Sequence, residues 1–245
     1  MKMKARIAEV FQSIQGEGIY LGEKQIFVRF YGCNLDRCRF CDTQLDSPRT
    51  FPSSEALWEY RKVRGSFKEY ETYELLDCLK LYSNDLHSIS FTGGEPLVQS
   101  NFLKDFLPLV KQEGFKTYLE TNATLPQALK DVIEYLDIIA ADFKLPSSTG
   151  VRNFWSEHEA FLKIALQKEV FVKAVICKNT DLADVKRAVE LLAKFNREIP
   201  FVLQPNSFEF HRQLADKIQE FKNFALRYLS DVRIILQMHK IVGVK

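Results

Sequence analysis

Apolar residues along the chain fall into short runs, which alternate with segments in which they recur every three or four positions. The short runs predict seven β-strands, at residues 25–31, 88–92, 117–120, 138–142, 170–176, 201–204 and 232–237. Several are continuously apolar, as expected for strands buried on both faces of a parallel sheet. The segments with helical spacing predict helices at residues 73–82, 102–112, 127–135, 153–167, 182–195 and 214–229.

The alternation of strand and helix predicts an α/β fold with right-handed crossovers. About six parallel β/α units fit into the chain, fewer than the eight of a closed barrel. We therefore expect a partial, open TIM-like barrel that forms one domain across residues 1–245. The polar stretch 46–71 interrupts the pattern, and we expect it to be an irregular insertion with one short helix near residues 55–60.

The composition is that of an ordinary globular protein, with 46% apolar and 27% charged residues. It argues against a disordered chain, a collagen-like repeat and a disulfide scaffold. The net charge is +2, from 34 basic and 32 acidic residues, which gives no reason to expect a nucleic-acid or membrane partner. No segment approaches the ~18 consecutive apolar residues of a membrane span, and the first residues do not have the pattern of a secretory signal. We therefore expect a cytoplasmic protein with reduced thiols.

Three of the five cysteines lie close together, at Cys33, Cys38 and Cys41. They directly follow the first predicted strand, at the strand end where α/β proteins place their chemistry. Three thiolates on one loop suit an iron–sulfur cluster or a zinc ion. A [4Fe–4S] cluster held by three cysteines leaves one iron available to a substrate or cofactor.

Two other metal sites fit the cysteines less well. A structural zinc ion needs a fourth ligand, and no histidine lies near the loop in the sequence. The C-x4-C-x2-C spacing also begins the plant-type [2Fe–2S] pattern, for which Cys78 or Cys177 would have to be the fourth ligand. Both are explained more simply as core thiols, and we expect the four histidines to be structural.

A second motif follows the next predicted strand, with the sequence Thr92-Gly93-Gly94-Glu95-Pro96. Adjacent glycines let the backbone approach a ligand closely, and the acid adds a hydrogen-bond acceptor. Alone, this motif would be only moderate evidence for a ligand-binding loop. It becomes more informative because it lies one β/α unit after the cysteine loop.

Together the two motifs resemble those of the radical S-adenosylmethionine (SAM) superfamily. The resemblance implies a single radical SAM domain whose [4Fe–4S] cluster is held by the three cysteines and binds SAM through its open iron. It also implies that Gly93, Gly94 and Glu95 face the methionine part of SAM, while Phe40 packs near the adenine. The usual spacing is C-x3-C-x2-C, so we expect the longer loop here to bulge by one residue.

Further segments resemble the 7-carboxy-7-deazaguanine synthase family within that superfamily. They are Gln15-Gly16-Glu17-Gly18, the Arg29 that precedes the first cysteine by four residues, Cys41-Asp42-Thr43, Glu120-Thr121-Asn122, the stretch from Asp142 to Lys144, and the tail 236–240. The resemblance adds Glu120, Thr121, Asn122, Asp142 and Lys144 to the implied cofactor site. Ala123 replaces the glycine usual at this SAM-facing turn.

The family resemblance implies 6-carboxy-5,6,7,8-tetrahydropterin as the substrate. Arg29 offers a planar fork of donors for its carboxylate. The expected contacts of the pterin are Ile14, Gln15, Gly16 and Thr92. The resemblance also implies Mg²⁺, with Thr43 as its protein ligand. Simpler roles stay open: Arg29 pairs with a neighbouring acid, Glu17 lies on a surface turn, Thr43 caps the next segment, or Lys144 forms a salt bridge at the barrel rim.

The implied reaction converts the carboxypterin to 7-carboxy-7-deazaguanine with loss of ammonia, through a radical that SAM supplies. An external flavodoxin-like or ferredoxin-like protein is the implied electron donor, and the family resemblance favours a homodimer. Two alternatives stay open, a radical SAM activase of a glycyl-radical enzyme and a [2Fe–2S] electron carrier. An activase would not need the Gln15–Gly18 segment. An electron carrier would not need the glycine motif.

Overall fold

One mixed β-sheet runs through the part of the chain that this computed structural model describes, residues 3–35, 38–41, 67–82 and 85–244. Its strands are β1 (Lys4–Ile14), β2 (Lys24–Phe30), β3 (Lys68–Glu71), β4 (Ser88–Gly93), β5 (Thr117–Thr121), β6 (Ile138–Asp142), β7 (Glu169–Ile176), β8 (Phe201–Pro205) and β9 (Val232–Ile234). They lie in the order β3-β1-β2-β4-β5-β6-β7-β8-β9.

Helices connect the strands. They are α1 (Thr72–Lys80), α2 (Ser100–Gln112), α3 (Pro126–Val132), α4 (Pro146–Thr149), α5 (Trp155–Ala165), α6 (Leu182–Phe195), α7 (Arg212–Ala225) and α8 (Met238–Val242). Short 3₁₀ helices occupy Gly18–Tyr20, Pro96–Gln99 and Ile133–Tyr135. The six long predicted helices are present, the one at 182–195 with its predicted ends and the other five with shifted ends, whereas the short α4 and α8 were not predicted.

Seven of the strands, β2 and β4 to β9, pair in parallel and are neighbours in the sheet in the order in which they occur along the chain, with β3 inserted between β2 and β4 in the sequence. The six crossovers between them confirm the predicted number of β/α units. β3 and β9 are the two edges of the sheet, so the sheet is open, which agrees with the predicted partial barrel.

Both faces of the parallel strands are buried, which explains their continuous apolar runs. Leu119 and Ile139 pack in the large core between the sheet and the helices, and Ile234 packs against that core. Their neighbours Tyr118 and Ile138 point the other way, into a small inner cluster that Ile19, Tyr20 and Ile235 cover. The inner face therefore has an apolar floor, and the carboxyl ends of the strands lie above it.

The N-terminal strand β1 was not predicted, and a bulge explains why. Ala5 and Ile7 are buried in the core, but the register shifts between Ile7 and Glu9. After the shift Val10 packs against the core, while Glu9 turns to the inner face. Because a one-residue shift exchanges the two faces of a strand, the alternation in the sequence is interrupted.

The prediction of an irregular insertion at 46–71 is wrong at its end, because residues Lys68–Glu71 form β3 and pair with β1. The remainder of that stretch, including the predicted helix near 55–60, lies outside the described residues. No helix among those described is both long and apolar enough to cross a membrane.

Candidate active site

A cavity of about 660 Å³ opens at the carboxyl ends of the parallel strands. The predicted site residues that line it are Ile14, Gln15, Gly16, Arg29, Cys33, Cys38, Phe40, Cys41, Thr92, Gly93, Gly94, Glu120, Thr121, Asn122, Asp142 and Lys144. Thr43 lies outside the described residues, and Glu95 lies behind the wall. The residues predicted for cluster, cofactor and substrate thus share one space.

The three cysteines of the loop after β2 are all free thiols. The Asn122 side-chain amide lies 3.9 Å from Cys33 Sγ, and the Leu35 backbone N–H donates to the same sulfur at 3.4 Å. Neither Cys78 nor Cys177 is among the described residues of the cavity wall. Cys177, which directly follows β7, is buried as expected for a core thiol, whereas Cys78 on α1 is only partly buried, contrary to that expectation.

The two glycines after β4 are needed because the loop after β2 lies directly against them. A Cβ atom at Gly94 would lie 1.9 Å from the carbonyl oxygen of Gly32. Gly93 has φ +121°, and a Cβ atom there would lie 2.3 Å from the carbonyl oxygen of Phe30. The backbone N–H groups of Gly94 and Glu95 donate to Phe30 and Gly32. The glycines therefore hold the glycine motif against the cysteine loop.

The Glu95 carboxylate does not reach the cavity, which corrects the expected contact with the methionine part of a cofactor. The side chain is fully buried, and it accepts hydrogen bonds from Leu97 N at 3.1 Å, Thr121 Oγ1 at 2.8 Å and Asn122 N at 2.7 Å. Burial raises the pKa of Glu95 to about 7, against the lowering effect of the two backbone donors. Glu95 thus fixes the turn after β5 from behind.

The predicted substrate residues Gln15 and Thr92 meet at Glu120. Thr92 Oγ1 donates to Glu120 Oε2 at 2.6 Å, and Gln15 Nε2 donates to Glu120 Oε1 at 2.8 Å. Gln15 Nε2 also donates to Gln25 Oε1, while Gln15 Oε1 accepts from Glu17 N. Both amide hydrogens of Gln15 are therefore used within the protein, and the Glu120 carboxylate is the acceptor that faces the cavity.

Arg29 has a protein partner in the cavity wall. Its Nε donates to Glu9 Oε1 at 2.7 Å, and its guanidinium lies 5.7 Å from the centre of the Phe11 ring. Glu9 and Arg29 stand opposite each other in the β1–β2 ladder. This is the simpler role considered for Arg29, although its side chain still lines the cavity.

Two lysines and two acids form a charged network in the cavity wall. Lys144 Nζ lies 3.0 Å from Asp142 Oδ2, Lys173 Nζ lies 3.7 Å from the same oxygen, and Lys173 also pairs with Glu17. Gln237 Nε2 donates to Glu17 Oε1 at 2.7 Å. Glu17 is therefore not on a surface turn, and Lys144 forms the salt bridge that was its simpler role.

The network keeps Glu17 and Lys173 charged. Burial alone would raise the pKa of Glu17, but the Lys173 ammonium outweighs it and lowers the pKa to about 2. Burial would lower the pKa of Lys173, but Glu17 and Asp142 raise it above the usual range of a lysine. Lys144 Nζ also lies 5.4 Å from the centre of the Phe40 ring, where it makes a cation–π contact.

Several cavity residues were missed or assigned a structural role, namely Glu9, Phe11, Glu17, Lys173, Gln204, Asn206, Phe208, Gln237, His239 and Lys240. His239, one of the four histidines expected to be structural, also lines the wall. A Cβ atom at Gly16 would lie 2.3 Å from its Nδ1 atom. A lysine or glutamine inside an apolar strand, as at Lys173 and Gln204, was the one available signal.

The side chains of the cavity wall are of the right kind and number to hold the iron–sulfur cluster and the SAM that the motifs imply. Three thiols, the ligands of iron–sulfur clusters, line the same space. Two buried oxygens on cavity residues, Asp142 Oδ1 and Gln204 Oε1, have no hydrogen-bond partner among the described atoms and can accept from a ligand. No three His, Cys, Asp or Glu side chains of the described ranges form a ready metal site, so loading requires the thiols to deprotonate and converge.

Comparisons with known proteins find similar sequences along nearly the whole chain. The sequence profile of the radical SAM superfamily matches residues 27–198. The 7-carboxy-7-deazaguanine synthase of Geobacter sulfurreducens is 38% identical over 252 residues, which cover 99% of this chain and 98% of that protein. The 7-carboxy-7-deazaguanine synthase of Archaeoglobus fulgidus is 32% identical over 249 residues, which cover 99% of this chain and 100% of that protein. The crystal structure of QueE from Escherichia coli superposes with a TM-score of 0.63 at 23% identity, covers 96% of this chain and 95% of that one, and supports the fold.

Proposed function

We propose that this chain, which belongs to the radical SAM superfamily and within it to the 7-carboxy-7-deazaguanine synthase family, converts 6-carboxy-5,6,7,8-tetrahydropterin to 7-carboxy-7-deazaguanine with loss of ammonia. The observation that carries the proposal is the junction at the end of β5. Glu120 binds the predicted substrate residues Gln15 and Thr92, and Asn122, two residues later, contacts Cys33. A substrate group and a cluster loop thus meet in one cavity.

In this proposal Cys33, Cys38 and Cys41 hold a [4Fe–4S] cluster. SAM lies against Phe40, Gly93, Gly94, Thr121, Asn122, Asp142 and Lys144. When bound, the cluster and SAM supply a radical that removes a hydrogen atom from the substrate. The protein holds the reacting groups together and excludes water from them.

The charged and polar residues of the wall supply the recognition of both ligands. Asp142 Oδ1 and Gln204 Oε1 accept hydrogen bonds from donors of SAM. The Glu120 carboxylate accepts from the N–H edge of the pterin, so we assign it to the substrate group. Among the described contacts of Arg29, its hydrogen bond to Glu9 is made by Nε. Its two terminal nitrogens bind the substrate carboxylate in this proposal.

The proposal extends to a metal ion, a redox partner, an oligomeric state, the domain organisation and the location. Mg²⁺ with Thr43 as its one protein ligand, an external flavodoxin-like or ferredoxin-like electron donor, and a homodimer follow from the family alone. The continuous sheet supports a single radical SAM domain across residues 1–245. The free thiols support a cytoplasmic location, where cysteines stay reduced.

The test is product formation by the whole chain, reconstituted with iron and sulfide without oxygen. SAM, a chemical reductant and 6-carboxy-5,6,7,8-tetrahydropterin are added, and 7-carboxy-7-deazaguanine is followed by mass spectrometry. We expect product that requires both SAM and the pterin and that is absent in Cys33→Ser. Reductive cleavage of SAM without any deazaguanine product would contradict the proposed substrate but leave the superfamily chemistry intact.

A further inference from the structure

His158, on α5, connects the two strand ends that carry the proposed SAM contacts. Its side chain is fully buried, with 0% exposure, and it is not part of the cavity wall among the described residues. One ring nitrogen, Nδ1, lies 3.1 Å from the carbonyl oxygen of Ala123, which follows β5. The other, Nε2, lies 3.1 Å from the backbone N of Lys144, which follows β6.

These two partners determine the protonation of the ring. A carbonyl oxygen can only accept and a backbone N–H can only donate, so Nδ1 carries the hydrogen and Nε2 accepts. The ring stacks on Phe143, with centroids 4.4 Å apart and planes 13° from parallel. Burial lowers the pKa of His158 to about 4, which keeps this neutral form at neutral pH.

The turn that His158 anchors is strained. Ala123 has φ +56°, the one positive φ of a residue other than glycine among those described. Such a conformation persists only where the surrounding structure fixes it. The Ala123 N–H donates to Thr121 Oγ1, and its carbonyl oxygen accepts from His158. The residue before it, Asn122, is the one that contacts Cys33.

We propose that His158 is a positioning residue for SAM. It holds the strained Ala123 turn and the Lys144 backbone at a fixed separation, so that the Asn122 and Lys144 side chains meet the ligand together. The inference rests on the proposed function, because SAM is the ligand that those two side chains are proposed to bind. An ordinary core histidine would matter through its bulk, whereas a positioning residue matters through its two bonds.

Three variants separate the bonds from the bulk. His158→Phe keeps a stacked ring and loses both bonds. His158→Asn keeps a donor at the place of Nδ1 and so keeps the bond to Ala123. His158→Gln keeps an acceptor at the place of Nε2 and so keeps the bond from Lys144. Each is compared with the parent for its SAM dissociation constant, measured by calorimetry on cluster-loaded protein well below its melting temperature.

We expect His158→Phe to weaken SAM binding about tenfold or more, which corresponds to ~1.4 kcal/mol. The SAM dissociation constants of His158→Asn and His158→Gln should lie between those of His158→Phe and the parent. In the parent, ¹⁵N chemical shifts of the imidazole should report a hydrogen on Nδ1 and none on Nε2. An Nε2–H form would overturn the inference before any ligand is added.

Combining each variant with Ala123→Gly gives the sharpest test, because glycine adopts a positive φ without strain. The glycine should restore SAM affinity to His158→Gln, in which the turn has lost its anchor. It should change His158→Asn by no more than about twofold, the level at which uncoupled substitutions add. Equal effects in the two backgrounds would overturn the inference, as would parent affinity in His158→Phe. A parent protein that binds no SAM would overturn the proposed function instead, and this inference with it.

Discussion

Glu9 and Arg29 stand opposite each other on antiparallel strands, and the Arg29 Nε donates to Glu9 Oε1 at 2.7 Å in the wall of the cavity. The side chains are 27% and 23% exposed, so the pair is reached by solvent and by any ligand. The arginine is therefore already aligned by a carboxylate when the substrate arrives. A planar guanidinium can serve one carboxylate through Nε and a second through its terminal nitrogens.

Arg29→Lys should raise the Michaelis constant for the carboxypterin about tenfold or more, because a hydrogen bond between charged groups contributes ~1.5–3 kcal/mol. Lysine keeps the charge but cannot bind Glu9 and a substrate carboxylate as one rigid fork. SAM cleavage without the pterin should be affected much less. The two activities are measured side by side on the same preparation.

Arg187→Lys is a matched control, since Arg187 pairs with Glu190 on an exposed face of α6. It should behave like the parent in both assays. Equal loss of both activities in Arg29→Lys would assign Arg29 to the fold, and an unchanged Michaelis constant would remove it from the substrate site.

The sequence was sufficient for the parallel sheet, because most strands there are buried on both faces and several read as continuous apolar runs. It was insufficient for β1, where the bulge between Ile7 and Glu9 exchanges the faces of the strand. It was also insufficient for β3, four residues at the sheet edge whose partly exposed side chains give no apolar run.

The site was predictable where a motif is local and less so where chain topology assembles it. The cysteine loop and the two glycines follow consecutive parallel strands, so both were found. Lys173 lies 156 positions after Glu17 in the sequence, and His239 lies still further from Gly16, so no local pattern shows that these residues are close in space. Glu95 belongs to a recognised motif, yet only the fold shows that its carboxylate points away from the cavity.

The three loop cysteines should each be required for iron. Cys33→Ser, Cys38→Ser and Cys41→Ser should each lose most of their iron and acid-labile sulfide after reconstitution, because a hydroxyl is a poor ligand for an iron–sulfur cluster. Cys78→Ser and Cys177→Ser are the matched controls, and they should keep the parent iron content. Loss of the cluster in either control would show that a fourth cysteine is a ligand and would favour a [2Fe–2S] site.

Glu95→Ala should destabilise the protein, since it leaves Leu97 N, Thr121 Oγ1 and Asn122 N without their acceptor. Unsatisfied buried donors cost ~1–3 kcal/mol each, so the free energy of unfolding should fall by at least ~2 kcal/mol. Glu95→Gln keeps one acceptor oxygen, so its free energy of unfolding should fall by less. Urea denaturation followed by circular dichroism measures both, and an alanine variant as stable as the parent would contradict this role.

His158 should make stability depend on pH. The pKa of His158 is about 4 in the folded protein against 6.5 for a free histidine, so between these values the unfolded chain binds the extra proton. The contribution of His158 to the free energy of unfolding is therefore complete above pH 6.5. It decreases by ~1.4 kcal/mol per pH unit as the pH falls from 6.5 towards 4. His158→Phe removes the titrating group, so its free energy of unfolding should fall less steeply than that of the parent over this range. Parallel curves would contradict the shifted pKa.

The Glu17–Lys173 pair should be strongly coupled, because its side chains are only 17% and 12% exposed. Lys173→Met leaves the Glu17 carboxylate buried without a cation, which costs ~3–5 kcal/mol for a pair of this kind. Glu17→Gln should cost less, because Lys173 keeps Asp142 Oδ2 at 3.7 Å. The double variant should lose much less free energy of unfolding than the sum of the two single losses, since it leaves neither partner of the pair charged.

The same pair should also make stability depend on pH. The pKa of Glu17 is lowered from 4.5 to about 2, so its contribution to the free energy of unfolding is complete above pH 4.5 and disappears as the pH falls towards 2.

An exposed pair provides the comparison for this coupling. Lys194 and Glu159 pair with side chains that are 61% and 38% exposed, and exposed pairs contribute no more than ~1 kcal/mol. Lys194→Met and Glu159→Gln should therefore each have a small effect, and their effects should add. Urea denaturation of both sets of variants at neutral pH measures the two coupling energies. If the effects of Glu17→Gln and Lys173→Met on the free energy of unfolding also add, the buried pair is not coupled and the network does not act as a unit.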